Sequence, residues 1–175
     1  MSAIQKKLEA ASEQYAASFD KGHLILPPAK KYLVVTCMDA RIDPAAAFGI
    51  ELGDAHVVRN AGGSAIEAIR SIVISQQLLG TTEVLVVKHT DCGMLTFKNR
   101  DAYSRVREHL GPPAHAELTA RSFDFLPFPE LDEAVADDVE FLRDSRLVPE
   151  HVTISGWVYD VKSGKTRRVP DRPRV

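Results

Sequence analysis

From Ala3 to Phe19 the apolar residues Ile4, Leu8, Ala11, Tyr15 and Phe19 recur at spacings of four, three, four and four, which puts them on one face of a helix. Gly22 ends that helix, and Pro27-Pro28 make an extended connector. This helix precedes the first strand and has no obvious place in a single closed core, so residues 1–28 read as an arm. The pattern then changes. Tyr32–Thr36 is a short apolar, β-branched run that fits a buried strand, and His56–Arg59 and Glu83–Lys88 follow as the second and third strands. Pro44–Phe48 fits one short helix between them. After a tight turn at Ala61-Gly62-Gly63, Ser64 and Glu67 supply a capping box. The helix it opens runs to about Leu79 and is apolar on most sides (Ile66, Ile69, Ile72, Val73, Ile74, Leu78), which predicts deep burial; Gly80 stops it.

Residues 96–129 show no sustained period. A short helix is expected around Ala102–His109, and prolines at 112, 113, 127 and 129 make the rest irregular. Leu131–Leu142 reads as an acidic helix, Val152–Val158 as a fourth strand, and Tyr159–Val169, with Ser163-Gly164 at the turn, as a hairpin return. Strands alternating with helices predict an α/β fold with a mainly parallel sheet.

Composition narrows the function classes. The 175 residues fit one domain, 1–175, including the arm; 45% apolar and 26% charged residues exclude low-complexity disorder, collagen and coiled coil as descriptions of the whole. A net charge of −2 argues against nucleic acid or an anionic membrane as the main partner. Apolar stretches such as Leu33–Val35 and Val84–Val87 are too short to span a bilayer. Two cysteines are too few for a disulfide scaffold, although one bridge between them satisfies the arithmetic. Lys6, Lys7, Glu9 and Glu13 interrupt any leader-like apolar segment, so the expected compartment is the cytoplasm. The acidic helix and the basic tail (Lys165, Arg167, Arg168, Arg172, Arg174) read as solvated surfaces.

The candidate chemistry lies just past the strands. Cys37 follows the first strand, and His89 and Cys92 follow the third. In a parallel sheet these are carboxyl ends, where open α/β proteins place their sites. If the first three strands take the order 2-1-3, the three residues converge. Two thiolates and an imidazole suit Zn²⁺, and three such ligands leave a fourth position open, as catalytic zinc requires. The bland alternative is a capped strand end with two buried free thiols. Asp39 and Arg41 sharpen the choice: Asp39 can accept a hydrogen bond from a zinc-bound hydroxide or bind zinc itself, with Arg41 holding it ionised and oriented. Their alternative reading is a plain loop salt bridge. The remaining histidines, His109 among them, read as surface or structural residues, and Phe123, Phe125 and Phe128 as loop anchors or a lid.

Three segments in this order, Cys37-x-Asp39-x-Arg41, Arg59-Asn60-Ala61-Gly62-Gly63 and His89-x-x-Cys92-Gly93, resemble the signature segments of the β-class carbonic anhydrases. The short chain and His89-Thr90-Asp91-Cys92-Gly93-Met94 resemble its small microbial branch, which also contains carbonyl sulfide hydrolases and carbon disulfide hydrolases. The resemblance implies one zinc per chain on Cys37, His89 and Cys92, an Asp39–Arg41 dyad, and a parallel sheet of order 2-1-3-4 with the hairpin strand beside it. It also implies a homodimer embraced by its N-terminal helices, with pairing of dimers left open. The expected reaction is attack of zinc hydroxide on a small linear heterocumulene. Carbon dioxide hydration ranks first, carbonyl sulfide hydrolysis second, and a non-catalytic zinc-stabilised or redox-sensing module is the alternative of another class. Ala61, Gly62, Gly93, Met94 and Leu95, small or apolar, are the expected pocket residues.

Overall fold

The short apolar runs form a five-stranded sheet of order β2-β1-β3-β4-β5, seen in a computed structural model that describes residues 1–173. β1 (Tyr32–Cys37), β2 (Ala55–Asn60), β3 (Glu83–His89) and β4 (Thr153–Tyr159) run parallel, and β5 (Thr166–Val169) returns antiparallel beside β4. The expected order and the hairpin strand both form. Gly164, at a φ of 72°, makes the return possible, and the turn closes through Gly164 N–H to Asp160 O and Asp160 N–H to Lys165 O, both 2.8 Å.

Alternation along the strands assigns two faces. Leu33 and Val35 of β1 and Val84 and Val86 of β3 pack against α3 (Ala65–Gln77) and α6 (Leu131–Asp144), with Ala68, Ile72, Val139 and Leu142 completing the main core. α6 lies so close to β4 that a Cβ on Gly156 would stand 2.4 Å from Val135 Cγ1. The other face carries Val34, Leu85, Val87 and Trp157, and α2 (Pro44–Phe48) covers part of it. An open groove of about 400 Å³ runs along that face between Tyr32, Phe48, Leu85 and Trp157.

Four expectations need correction. α1 spans Ala3–Ala16 and stops short of Phe19, because the i→i+3 bonds Ser18 N–H to Tyr15 O and Phe19 N–H to Ala16 O tighten its last turn. The stretch 96–129 holds two helices, α4 (Asn99–Leu110) and α5 (Pro112–Ala120). Pro112 and Pro113 start α5 rather than block a helix, since first-turn N–H groups have no intrahelical acceptor to lose. α3 is buried on one face only: the sheet and α6 cover Ala65, Ala68 and Ile72, while Ile66 and Leu78 are exposed. Half of its capping box forms, with Ser64 Oγ accepting from Glu67 N–H, while Ser64 N–H goes to Asn60 Oδ1. The acidic helix and the basic tail are also partners rather than independent solvated surfaces. Arg167 pairs with Asp132, and Arg172 with Glu133, Asp137 and Glu140. Arg174 lies outside the described residues.

Candidate metal centre

β1 ends at Cys37, opposite the Asn60 end of β2, and β3 ends at His89 on the other side of β1. The chain then reverses at Asp91, which adopts a left-handed φ of 56°, and brings Cys92 back to the same strand ends. The ligand atoms of Cys37, His89 and Cys92 all lie within 4.8 Å of one another, and all three residues are buried. The convergence predicted from the sequence is therefore realised, and both cysteines are free thiols.

The donor set fits a zinc ion. His89 Nδ1 lies 2.9 Å from Thr90 O, so Nδ1 carries the proton and Nε2 keeps its lone pair. Nε2 is buried without any hydrogen-bond partner, a costly arrangement unless something else fills the place. Tetrahedral zinc, with bonds of about 2.0–2.3 Å, separates its ligand atoms by roughly 3.3–3.8 Å, within small side-chain rotations of what is seen. The neighbouring Cys92 pulls the Cys37 pKa down to about 4, against the effect of burial. The same contact, with burial, pushes Cys92 up. Burial works against the His89 imidazolium, but the neighbouring Cys37 outweighs it and raises that pKa.

Asp39 borders the cluster, its Oδ2 3.8 Å from His89 Nε2. Arg41 grips it with two side-chain bonds, Nε to Oδ1 at 3.0 Å and Nη2 to Oδ2 at 2.8 Å, and adds its backbone N–H to Oδ1. These contacts hold Asp39 well below the usual carboxylate range. Asp91 fixes Arg41 from the far side, its Oδ2 accepting from Nη1 at 2.7 Å and its carbonyl from Nη2 at 2.9 Å. Arg59 reaches across from β2 to the carbonyls of Cys37 and Asp39.

The expected pocket residues surround this corner. Gly62 packs so tightly on Met94 that a Cβ would come within 2.8 Å of Met94 Cγ, and its φ of 71° suits only glycine. Ala61 and Leu95 belong to the same apolar cluster as Cys37, Cys92 and Met94. Gly93 opens the 3₁₀ turn Gly93–Leu95, with nothing within 4 Å of where its Cβ would stand. Phe128 joins this wall, its N–H donating to Met94 O. His56 bonds Ser75 and His115 packs edge-on to Tyr103, away from the cluster. The sequence reading passed over Asp91, Lys88 and Asp138. The one available signal was Lys88 itself, a lysine inside an otherwise apolar strand.

Comparison with known proteins places the fold. A family model for carbonic anhydrase matches residues 32–166. Beta-carbonic anhydrase 1 of Mycobacterium tuberculosis is 39% identical over 163 residues, covering 91% of this chain and 94% of that one. A carbon disulfide hydrolase of Acidithiobacillus thiooxidans is 33% identical over 179 residues, covering 94% and 89%. The solved carbonic anhydrase from Glaciozyma antarctica superposes with a TM-score of 0.90 at 46% identity, over 97% of this chain and 100% of that one. The family model, with these relatives matched over nine-tenths or more of the chain, assigns it to the β-carbonic anhydrase family of enzymes, within which the carbon disulfide hydrolases also fall.

Proposed function

We propose that the protein is a zinc enzyme that hydrates carbon dioxide to bicarbonate. The observation that carries this reading is the buried Cys37–His89–Cys92 triangle with the Asp39–Arg41 pair at its edge. Cys37, His89 and Cys92 would hold one zinc per chain, and the ion supplies a water acidified toward neutrality as nucleophile. Asp39 stays ionised beside Arg41 and accepts the hydrogen bond of that nucleophile, which leaves its lone pair free to meet the substrate carbon. Arg41, held by Asp91, keeps Asp39 turned toward the cluster and off the metal. Ala61, Gly62, Met94 and Leu95 offer apolar or backbone surface, which suits an apolar triatomic rod and excludes bulk water.

The same apolar wall and the carbon disulfide hydrolase relative favour one second reading, hydrolysis of a sulfur-containing heterocumulene such as carbonyl sulfide to CO₂ and H₂S. Stopped-flow pH change on CO₂ and H₂S release from carbonyl sulfide, compared as kcat/KM, separate the two. Dominant H₂S release installs the second reading, and a zinc-loaded protein inert on both leaves a non-catalytic zinc module.

The assembly we propose is a homodimer of one-domain chains, joined through the arm at residues 1–28. α1 buries none of its residues, leaving Ile4 75% and Leu8 69% exposed. Its stripe matches the uncovered groove on the sheet, which a second copy would fill. No helix among the described residues is long and apolar enough to cross a membrane.

A further inference from the structure

Lys88 immediately precedes His89 on β3, so it faces the opposite side of the sheet, toward α6. Its side chain is 3% exposed, and all three donors of the ammonium are used: Asp138 Oδ2 at 2.7 Å, Gly62 O at 3.0 Å and Gly63 O at 3.3 Å. The Phe128 ring lies 4.9 Å from Nζ. Asp138 Oδ2 also accepts from Ala65 N–H, the first residue of α3. One buried ion pair therefore ties β3, α3 and α6 to the Ala61–Gly63 turn. Two apolar residues of similar volume would fill such a place without the desolvation cost, so the pair calls for a reason beyond stability. That reason lies on the front of the turn. Gly62 packs on Met94, and Gly63 presses so closely on the Thr36–Cys37 backbone that a Cβ there would stand 3.0 Å from Thr36 C.

We propose that Lys88 is a positioning residue for the metal centre: from behind the sheet its ammonium fixes the Gly62 and Gly63 carbonyls, and so holds Gly63 against the Thr36–Cys37 backbone and sets the gap between Gly62 and Met94. The inference rests on the zinc reading above. It separates two roles of the ion pair, because Asp138 serves the fold while Lys88 serves the site.

Two variants of the full-length protein test the separation. Asp138→Asn keeps the ammonium on both carbonyls; it should melt below the parent yet bind zinc with parental affinity. Lys88→Met/Asp138→Asn removes both charges and leaves an amide oxygen for Ala65 N–H; it should melt no lower than the single variant. Its zinc affinity, read by chelator competition, should fall about tenfold. With Co²⁺ in place of zinc, its sulfur-to-metal charge-transfer band should move, and kcat should fall with KM little changed. Parental zinc affinity and an unmoved Co²⁺ band in the double variant overturn the proposal. A measurement without mutation covers the case in which the double variant does not fold. In metal-free parent protein, the Gly62 and Gly63 backbone should be as ordered by ¹⁵N relaxation as that of β3, and marked mobility there overturns the proposal too. A responsive Co²⁺ band in a protein inert on both CO₂ and carbonyl sulfide would remove the enzyme reading and leave this one standing.

Discussion

Cys92 and Asp39 occupy the same corner but do different work, and single substitutions separate them. Cys92→Ser would take one of two sulfur donors from the proposed three-ligand site, and zinc content by atomic absorption should then fall from about one per chain to near zero, with activity lost. Asp39→Asn and Arg41→Ala should instead retain zinc and lose rate, each roughly 10²-fold. Because Arg41 acts by holding Asp39, the double variant should be no slower than the worse single one; additive losses would show two independent roles. These residues were legible before the fold because each sits in a short segment with its partner, as Asp39 does with Arg41. Lys88 and Asp138 were not, since they stand far apart in the chain and meet only through tertiary packing, and a lone lysine in an apolar run says nothing about which carboxylate receives it.

At the scale of elements, the strands were the easiest part to read and the proline-rich stretch the hardest. β1 and β3 declare themselves by apolar runs longer than any surface would tolerate. α5 begins on Pro112-Pro113, which looks like a breaker unless the chain is known to enter a first turn there. α3 misled in the other direction: its apolar positions point to burial all round, but Ile66 is 46% exposed. The sequence shows that a face is apolar, not whether its own chain or another covers it. α1 poses the same question more sharply. Deleting residues 1–20 should yield aggregates or unfolded chains on size-exclusion chromatography, through loss of cover for the sheet groove. A monodisperse, active monomer would show the arm to be dispensable.

Over the whole molecule, carboxylates held by ion pairs or hydrogen bonds shape the response to acid. Arg41 lowers Asp39, Lys30 lowers Asp54, Arg167 lowers Asp132, and Ser163 lowers Asp160. An unfolded aspartate titrates near 3.9, about the middle of the usual range. Each group depressed in the folded state therefore contributes stability that is fully present above that value and is lost as pH falls through its folded pKa. Melting temperature should decline below about pH 4 as these carboxylates protonate. A parallel series in chelator distinguishes this loss from release of zinc, and a Tm that rises on acidification would contradict the assignment. The groove on the sheet carries its own reporter for assembly. Trp157, the single tryptophan, lines it, with its indole N–H on Ser155 Oγ at 2.9 Å. An indole under a partner's arm emits in a dry setting and one in an open groove emits in a wet one. Dilution alone should therefore red-shift the protein's intrinsic fluorescence along a curve whose midpoint is the dimer dissociation constant, with no label attached.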